Sequence, residues 1–264
     1  MILVLAHHHD AEGAWLVHAL QARQQRSLLL CPEALGVDYG ISLRLRNDGR
    51  DESAIAFFDP SVGGVESAQF RYAVNRLGFI EPLVWRSAPE RERLYATSEI
   101  NAFFPALIES LRCRVDSPVA HGALWPDSGF ALRWAARLHA RGVAIHPALA
   151  ASPVQACATW MASDPAALRR WLCFEGEVFV PPAQGSAHAH VTHALRSLAP
   201  GRTLEFIGLQ GDADAVVQLL QVSCTPSLSW YGRPFIDALI THAEDSRHGH
   251  PDGHSERAAV AAAG

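Results

Sequence analysis

Residues 2–31 read ILVLAHHHDAEGAWLVHALQARQQRSLLLC, and this stretch decides the class of fold. Ile2 to Ala6 is a short unbroken apolar run. From Ala11 to Arg23 the apolar residues Trp15, Leu16, Ala19 and Leu20 recur at helical spacing. Ser27 to Cys31 is a second apolar run of strand length. Two such runs around a helix predict parallel strands joined by a right-handed crossover. The polar loop between the first run and the helix then falls at the carboxyl end of a strand, where α/β sheets bind ligands.

Beyond Cys31 the pattern changes. Ile41, Leu43 and Leu45 alternate with Ser42, Arg44 and Arg46, and Asn47-Asp48-Gly49 is a strong turn signal. Residues 40–58 therefore read as a hairpin. A broad apolar face from Leu94 to Leu111 predicts a long helix over 89–112. Val115 to Pro118 is strand-like. A helix over 129–141 ends at Gly142, where a capping glycine belongs, and a strand follows over 143–146. Asp164-Pro165 reads as a helix start. Leu172 to Val180 turns at Glu175-Gly176, and a helix follows over 187–198. Leu204 to Leu209 pairs with Ala215 to Val222, and a last helix covers 233–243. From Asp245 the chain turns polar, then Ala-rich, and reads as a disordered tail. The fold class is α/β, with α/β order first and α+β order after it.

Composition narrows the function. The 264 residues are 49% hydrophobic and carry a net charge of −5, which argues against a nucleic-acid or anionic-membrane binder. No run approaches the ~20 apolar residues of a membrane span, and the N-terminus lacks the features of a secretory signal. Five scattered cysteines with no CxxC pair fit reduced thiols and a cytoplasmic location. All 22 basic residues are arginine, a bias expected of a GC-rich, bacterial-type genome. No side-chain amine is therefore available for Schiff-base chemistry or for the phosphate contact that lysine makes.

Three stretches resemble the glutathione-synthetase or RimK-like ATP-grasp proteins. They are ILVLAHHHDAEGAWLVHALQAR at the N-terminus, RVDSPVAHGALWPDSGFALRWAARLHARGVAIHPALAASP over 114–153, and LEFIGLQGDADAVVQLLQVSCTPSLSWYGRPFIDALI over 204–240. The resemblance implies a pre-ATP-grasp-like parallel α/β domain over 1–120 and a truncated ATP-grasp-like α+β domain over 121–244, with the tail over 245–264. It also implies what is missing. Active members hold ATP phosphates with lysines. They hold magnesium with an acidic residue on the penultimate strand and a Glu-x-Asn on the last. Here those positions align with Gln210 and with Gln221-Val222-Ser223, which are neutral and poor magnesium ligands. Fewer than twenty residues separate Pro153 from the hairpin at 172–180, where the family places a nucleotide-covering subdomain. Phosphoryl transfer depends on positioned cations. The resemblance therefore implies a non-catalytic, cofactor-free relative that binds a protein or peptide as an accessory subunit of an enzyme complex, alone or as an oligomer.

Other residues stand as candidates beside that reading. His7, His8, His9 and Asp10 read most plainly as a polar loop with Asp10 capping the next helix. Their chemical reading is a transition-metal site with His7, His9 and Asp10 as ligands, and hence an enzyme of altered chemistry. Asn75, Arg76, Tyr95 and Glu99 form a candidate ligand surface, with an Arg76–Glu99 pair fixing the long helix to the sheet. Trp230 and Tyr231 serve either as loop anchors for a peptide or as core. His188, His190 and His193 lack an HExxH companion, and His248, His250 and His254 sit in the tail with Asp245 and Asp252. Cys224 has no neighbouring histidine to activate it. No GxSxG, P-loop or GxGxxG occurs. A third reading, a residual ATP-dependent carboxylate–amine ligase, would use arginines at the phosphates.

Overall fold

Strand β1 (Ile2–Leu5) is buried along its whole length, and helix α1 (Ala11–Ala22) carries the chain back to β2 (Ser27–Leu30), which lies parallel to β1. This is the crossover that the first thirty residues predict. The computed structural model describes residues 1–44, 52–57, 64–81, 83–111, 113–116, 129–184, 188–198, 203–210 and 216–246. The Asn47-Asp48-Gly49 turn and the tail histidines His248, His250 and His254 lie outside these.

The predicted hairpin is present as β3 (Tyr39–Arg44) and β4 (Glu52–Phe57), extended by β5 (Gly64–Glu66) into a three-stranded antiparallel sheet. The chain then returns to the parallel sheet as β6 (Tyr72–Asn75), a strand the sequence reading overlooked. Its apolar run is only Tyr72 to Val74, closed in by Arg71 on one side and by Asn75 and Arg76 on the other, and so does not stand out. Helix α2 (Glu90–Ser110) and β7 (Arg114–Asp116) complete this half, with strand order β2-β1-β6-β7, all parallel.

The second half opens with α3 (Phe130–His139), after which Gly142 takes φ +82° and turns the chain back. Strand β8 (Ala144–Ile145) follows, then α4 (Pro147–Ala151) and α5 (Pro153–Ala162), neither of which the sequence reading recognised. The Asp164-Pro165 signal is real but yields a single 3₁₀ turn over 165–167: Asp164 accepts from the Ala166 N–H, and the chain then enters a strand. That strand is β9 (Leu168–Phe174), which turns at Glu175-Gly176 into β10 (Glu177–Phe179). Helix α6 (Ala189–Leu198), β11 (Leu204–Gln210), β12 (Val217–Ser223) and α7 (Gly232–Asp245) complete the fold. The second sheet has the order β10-β9-β11-β12-β8.

Three apolar clusters hold these layers. Leu3, Leu5 and Ala73 pack with Phe104 and Leu107 of α2 and with Tyr39 and Ile55 of the small sheet. Trp171, Cys173 and Phe206 pack with Phe130, Trp134 and Leu195 of α3 and α6. The third cluster joins the halves: Ile2, Val4, Tyr72 and Leu16 meet Leu172 and Phe174 across Phe235, Ile236 and Leu239 of α7. Each of these fully buried large side chains contributes about 1.5–3 kcal/mol. Helix α7 thus works as the seam between the sheets. Asp245 is its last residue, so the helix runs two residues past the end predicted for it, and residues 247–264 lie outside the description. No helix among the described residues is long and apolar enough to cross a membrane.

Candidate functional site

The order β2-β1-β6-β7 has a switch point. From β1 the chain crosses to β2 on one side, and it later returns to β6 on the other. The loops leaving β1 and β6 therefore diverge and leave a crevice at the carboxyl edge, the place where such sheets bind ligands. A cleft of about 630 Å³ lies there, walled by His7 to Glu12, Glu33, Arg76, Gly78 and Phe79, with Thr225 reaching in from the second half.

The inner wall is fully committed to structure. Asp10 caps α1, accepting from the N–H groups of Glu12 (3.1 Å) and Gly13 (3.3 Å). The same carboxylate takes Arg76 Nε on Oδ2 (2.7 Å) and Nη2 on Oδ1 (3.1 Å). Burial pushes the Asp10 carboxyl upward, but the Arg76 hydrogen bond and charge, with the two backbone N–H groups, outweigh it and hold its pKa below the ordinary value. The third arm of Arg76, Nη1, donates to the Pro226 carbonyl at 2.9 Å. The predicted Arg76–Glu99 pair does not form. The end of β6 puts Arg76 beside the start of α1, where Asp10 takes it. Asn75 is buried and its Oδ1 accepts from the Leu77 N–H, closing the turn that aims Arg76 inward.

The outer wall is less committed. His7 is used at both nitrogens: Nε2 accepts from the Gly78 N–H (3.3 Å), which leaves the proton on Nδ1 to donate to Glu33 Oε1 (2.6 Å). Glu33 Oε2 accepts from the His8 N–H at 3.3 Å. Burial raises the Glu33 carboxyl, and His7 and the backbone donors more than reverse that, so its pKa is lowered. His8 and His9 project outward with exposed rings. His7 and Asp10, two of the three ligands the sequence suggested, are thus already spoken for, and Glu33 takes their place. It sits three residues after β2, at the carboxyl edge of the same sheet, a position that could have flagged it.

A second polar cluster lies where β9 and β11 meet the loop after β12. Glu205 Oε1 accepts from Arg170 Nη1 (3.0 Å) and from the Tyr231 hydroxyl (3.0 Å), and Oε2 accepts from the Ser227 N–H (3.2 Å). All three side chains are buried. Burial, and then the adjacent Glu205 charge, push the Tyr231 phenol well above its ordinary value, so it remains a neutral donor. Trp230 lies over the Arg170 guanidinium, 4.7 Å from ring centroid to Cζ. Of the two loop aromatics, Tyr231 belongs to the core and Trp230 is half-exposed. Glu205 and Arg170 were missed, although an acid inside the apolar run LEFIGL is a signal.

The positions that the resemblance aligns with magnesium ligands are Gln210, Gln221 and Ser223, and they lie on the paired strands β11 and β12. Gln210 pairs with Val217, and Gln221 with Ile207, so the three neutral positions do not converge. The residue opposite Ser223 is Glu205. It is the acid that faces the last strand, and its carboxylate already holds a guanidinium, a phenol and a backbone N–H. Gln221 Oε1 and Gln210 Oε1 are buried with no hydrogen-bond partner. A magnesium ion needs charged oxygens to offset its lost waters, and of the described residues at these aligned positions Gln210, Gln221 and Ser223 are neutral.

Tyr95 and Glu99 lie elsewhere, along α2. With Leu35, Val84, Trp85, Ile100 and Phe103 they line a groove of about 1140 Å³, edged by Arg91 and Glu92. Tyr95 is 67% exposed and Trp85 47%. His188, His190 and His193 form no group of metal-ligating residues among those described. Cys224 is buried, and burial raises its thiol to about 11, which leaves it inert as a nucleophile.

The layers and strand orders define an ATP-grasp-like α/β fold. The macrocyclase MdnC of Microcystis aeruginosa MRC, solved bound with precursor peptide MdnA, superposes with a TM-score of 0.64 over 94% of this chain and 99% of its own, at 11% identity. A RiPP-associated ATP-grasp ligase of Chryseobacterium gregarium, in complex with ADP and a leader and core peptide, gives 0.58 over 93% of each chain at 9% identity. The ATP-grasp ligase PsnB, complexed with precursor peptide PsnA2 and AMPPNP, gives 0.54 over 92% of this chain and 98% of its own at 13% identity. At these identities the likeness is one of fold. No family model and no curated protein matches the sequence.

Proposed function

We propose that this chain is a peptide-binding ATP-grasp-like protein that does not activate carboxylates with ATP, and that it serves as an accessory subunit to an enzyme. The observation that carries the proposal is the Glu205 carboxylate, which is held by Arg170, Tyr231 and the Ser227 N–H on the strands where the family resemblance puts magnesium. An internal guanidinium already neutralises the acid, and a second cation would have to displace it. The absence of lysine and the neutral Gln221 and Ser223 support the same reading. For the peptide, three structural neighbours are ligases solved with precursor peptides, and the α2 groove offers an open apolar trough with aromatic anchors.

The test has two arms. The full chain is melted with and without millimolar ATP and magnesium. A ligand at one hundred times its Kd would add about 2.7 kcal/mol, or roughly 5–11 °C at this size. No shift is expected. Peptides are then selected from a displayed random library against the parent, and Tyr95→Ala and Trp85→Ala should each weaken the winners. A saturable ATP-dependent rise in Tm would instead restore the ligase reading.

A further inference from the structure

We infer that His8, His9 and Glu33 form a binding site for a divalent transition-metal ion of the zinc class, at the mouth of the cleft on the carboxyl edge of the parallel sheet. Among the described residues these three place one ligand atom each within 4.8 Å of one another. His8 Nδ1 and Glu33 Oε1 are 3.7 Å apart. A tetrahedral ion with ligands at ~2.1 Å separates them by about 3.4 Å, so small side-chain rotations close the set. The mobility is on the correct side. The His8 side chain is 57% exposed and has room to turn, whereas the Glu33 side chain is 8% exposed and held by His7 and the His8 N–H.

What fixes Glu33 also supports the assignment. His7 donates from Nδ1 to Oε1, and the His8 N–H donates to Oε2. Two donors leave lone pairs on both oxygens of a carboxylate, enough to take an ion as well. His7 is itself pinned by the Gly78 N–H. A ligand oriented by a hydrogen-bonded neighbour is the usual construction of a protein metal site. Asp10 cannot contribute, because Arg76 and the start of α1 occupy it. Two imidazoles and one carboxylate favour zinc, cobalt, nickel or copper over magnesium or calcium. Three protein ligands leave a fourth position toward the cleft, open to water or to a donor atom of a bound molecule. The inference is independent of the peptide reading.

The experiment uses the full chain made without an affinity tag and stripped with a chelator. Cobalt(II) is titrated by visible absorption and zinc by calorimetry. One equivalent with the intense band of tetrahedral cobalt is expected. His8→Ala and His9→Ala should each weaken binding at least ~100-fold, the upper end of what losing even a supporting hydrogen bond to a ligand costs. Both rings are exposed, so both variants should melt as the metal-free parent does. The triple change His248→Ala, His250→Ala, His254→Ala should leave the equivalent and its band intact. If the parent takes up no ion, if the band survives His8→Ala and His9→Ala, or if it vanishes only with the tail histidines, the site is not there.

Discussion

Replacing Arg76 with methionine keeps most of the stem's volume and removes all three hydrogen bonds of a guanidinium whose side chain is 5% exposed. It leaves the Asp10 carboxylate, 17% exposed, with two backbone N–H groups and no countercharge, and it leaves the Pro226 carbonyl without this donor. Removing one partner of a buried pair costs about 3–5 kcal/mol, most of it from the stranded charge. At this chain length that is a fall in Tm of roughly 6–20 °C. Urea unfolding followed by tryptophan fluorescence and circular dichroism measures it. The pH dependence sharpens the test. In the parent, the Asp10 pKa is held below its unfolded value near ~3.9, so the stability it contributes is complete above that pH and lost as pH falls through the lower folded value. Without Arg76 the burial that now opposes ionisation prevails, and protonation relieves the stranded charge. The gap between parent and variant should therefore narrow as pH falls from 7 to 3. Asp10→Asn in the Arg76→Met background should cost little more, because the two positions share one interaction. A variant within about 1 kcal/mol of the parent at pH 7, or a gap that is constant across this range, would refute the claim that this pair ties β6, α1 and the loop after β12 together.

Further outcomes follow from single sites. Asp116 is buried and its pKa is raised to about 6, with burial the cause and the Thr203 hydroxyl and N–H opposing it. Its contribution is complete below the unfolded pKa and is lost as pH rises through 6. Asp116→Asn should therefore lose less stability than the parent between pH 4 and 7, by about 3 kcal/mol, read from urea midpoints. A Cβ at Gly208 would stand 2.2 Å from Val217 Cγ1 and 3.3 Å from Trp171, beside the register shift between Ile207 and Gly208. Gly208→Ala should cost about 1–3 kcal/mol in thermal or urea unfolding. Tyr231→Phe removes one donor from a buried carboxylate, and a loss of about 1.5–3 kcal/mol is expected in the same assay.

How much of this was legible depends on range. Ile2–Leu30, α2, α3 and the β11–β12 hairpin announce themselves because their signals are local: apolar runs, helical spacing, a glycine after a helix. β6 escaped because four residues in a strand order of β2-β1-β6-β7 are defined by partners far along the chain. Helices α4 and α5 carry no such signal because their apolar residues lie all round: Leu149 and Ala156 are buried while Val154 and Met161 are exposed, so no polar face sets off an apolar one. The candidate site depends on range in the same way. His7 to Asp10 stands out as a motif, but which of these residues is free depends on Glu33 from the loop after β2 and on Arg76 and Gly78 from the loop after β6. The resemblance points to Gln210 along the sequence, and only the strand register shows that Glu205 stands opposite Ser223.

The two polar clusters are also mechanically connected, and this bears on what the cleft can do. Arg76 reaches the Pro226 carbonyl, and Glu12 accepts from both the N–H and the hydroxyl of Ser229 at 2.7 Å. The same loop gives its Ser227 N–H and Tyr231 hydroxyl to Glu205. One segment, 226–231, thus carries hydrogen bonds to the first sheet's cleft at Pro226 and Ser229, interleaved with hydrogen bonds to the second sheet's buried acid at Ser227 and Tyr231. Its backbone conformation is set by both. A molecule that enters the cleft and displaces Glu12 or Arg76 from this loop must disturb the support of Glu205, and the cost would fall on the second half as well as the first. Hydrogen bonds of the folded chain thus link the carboxyl edge of β1 and β6, through this loop, to the buried acid on β11.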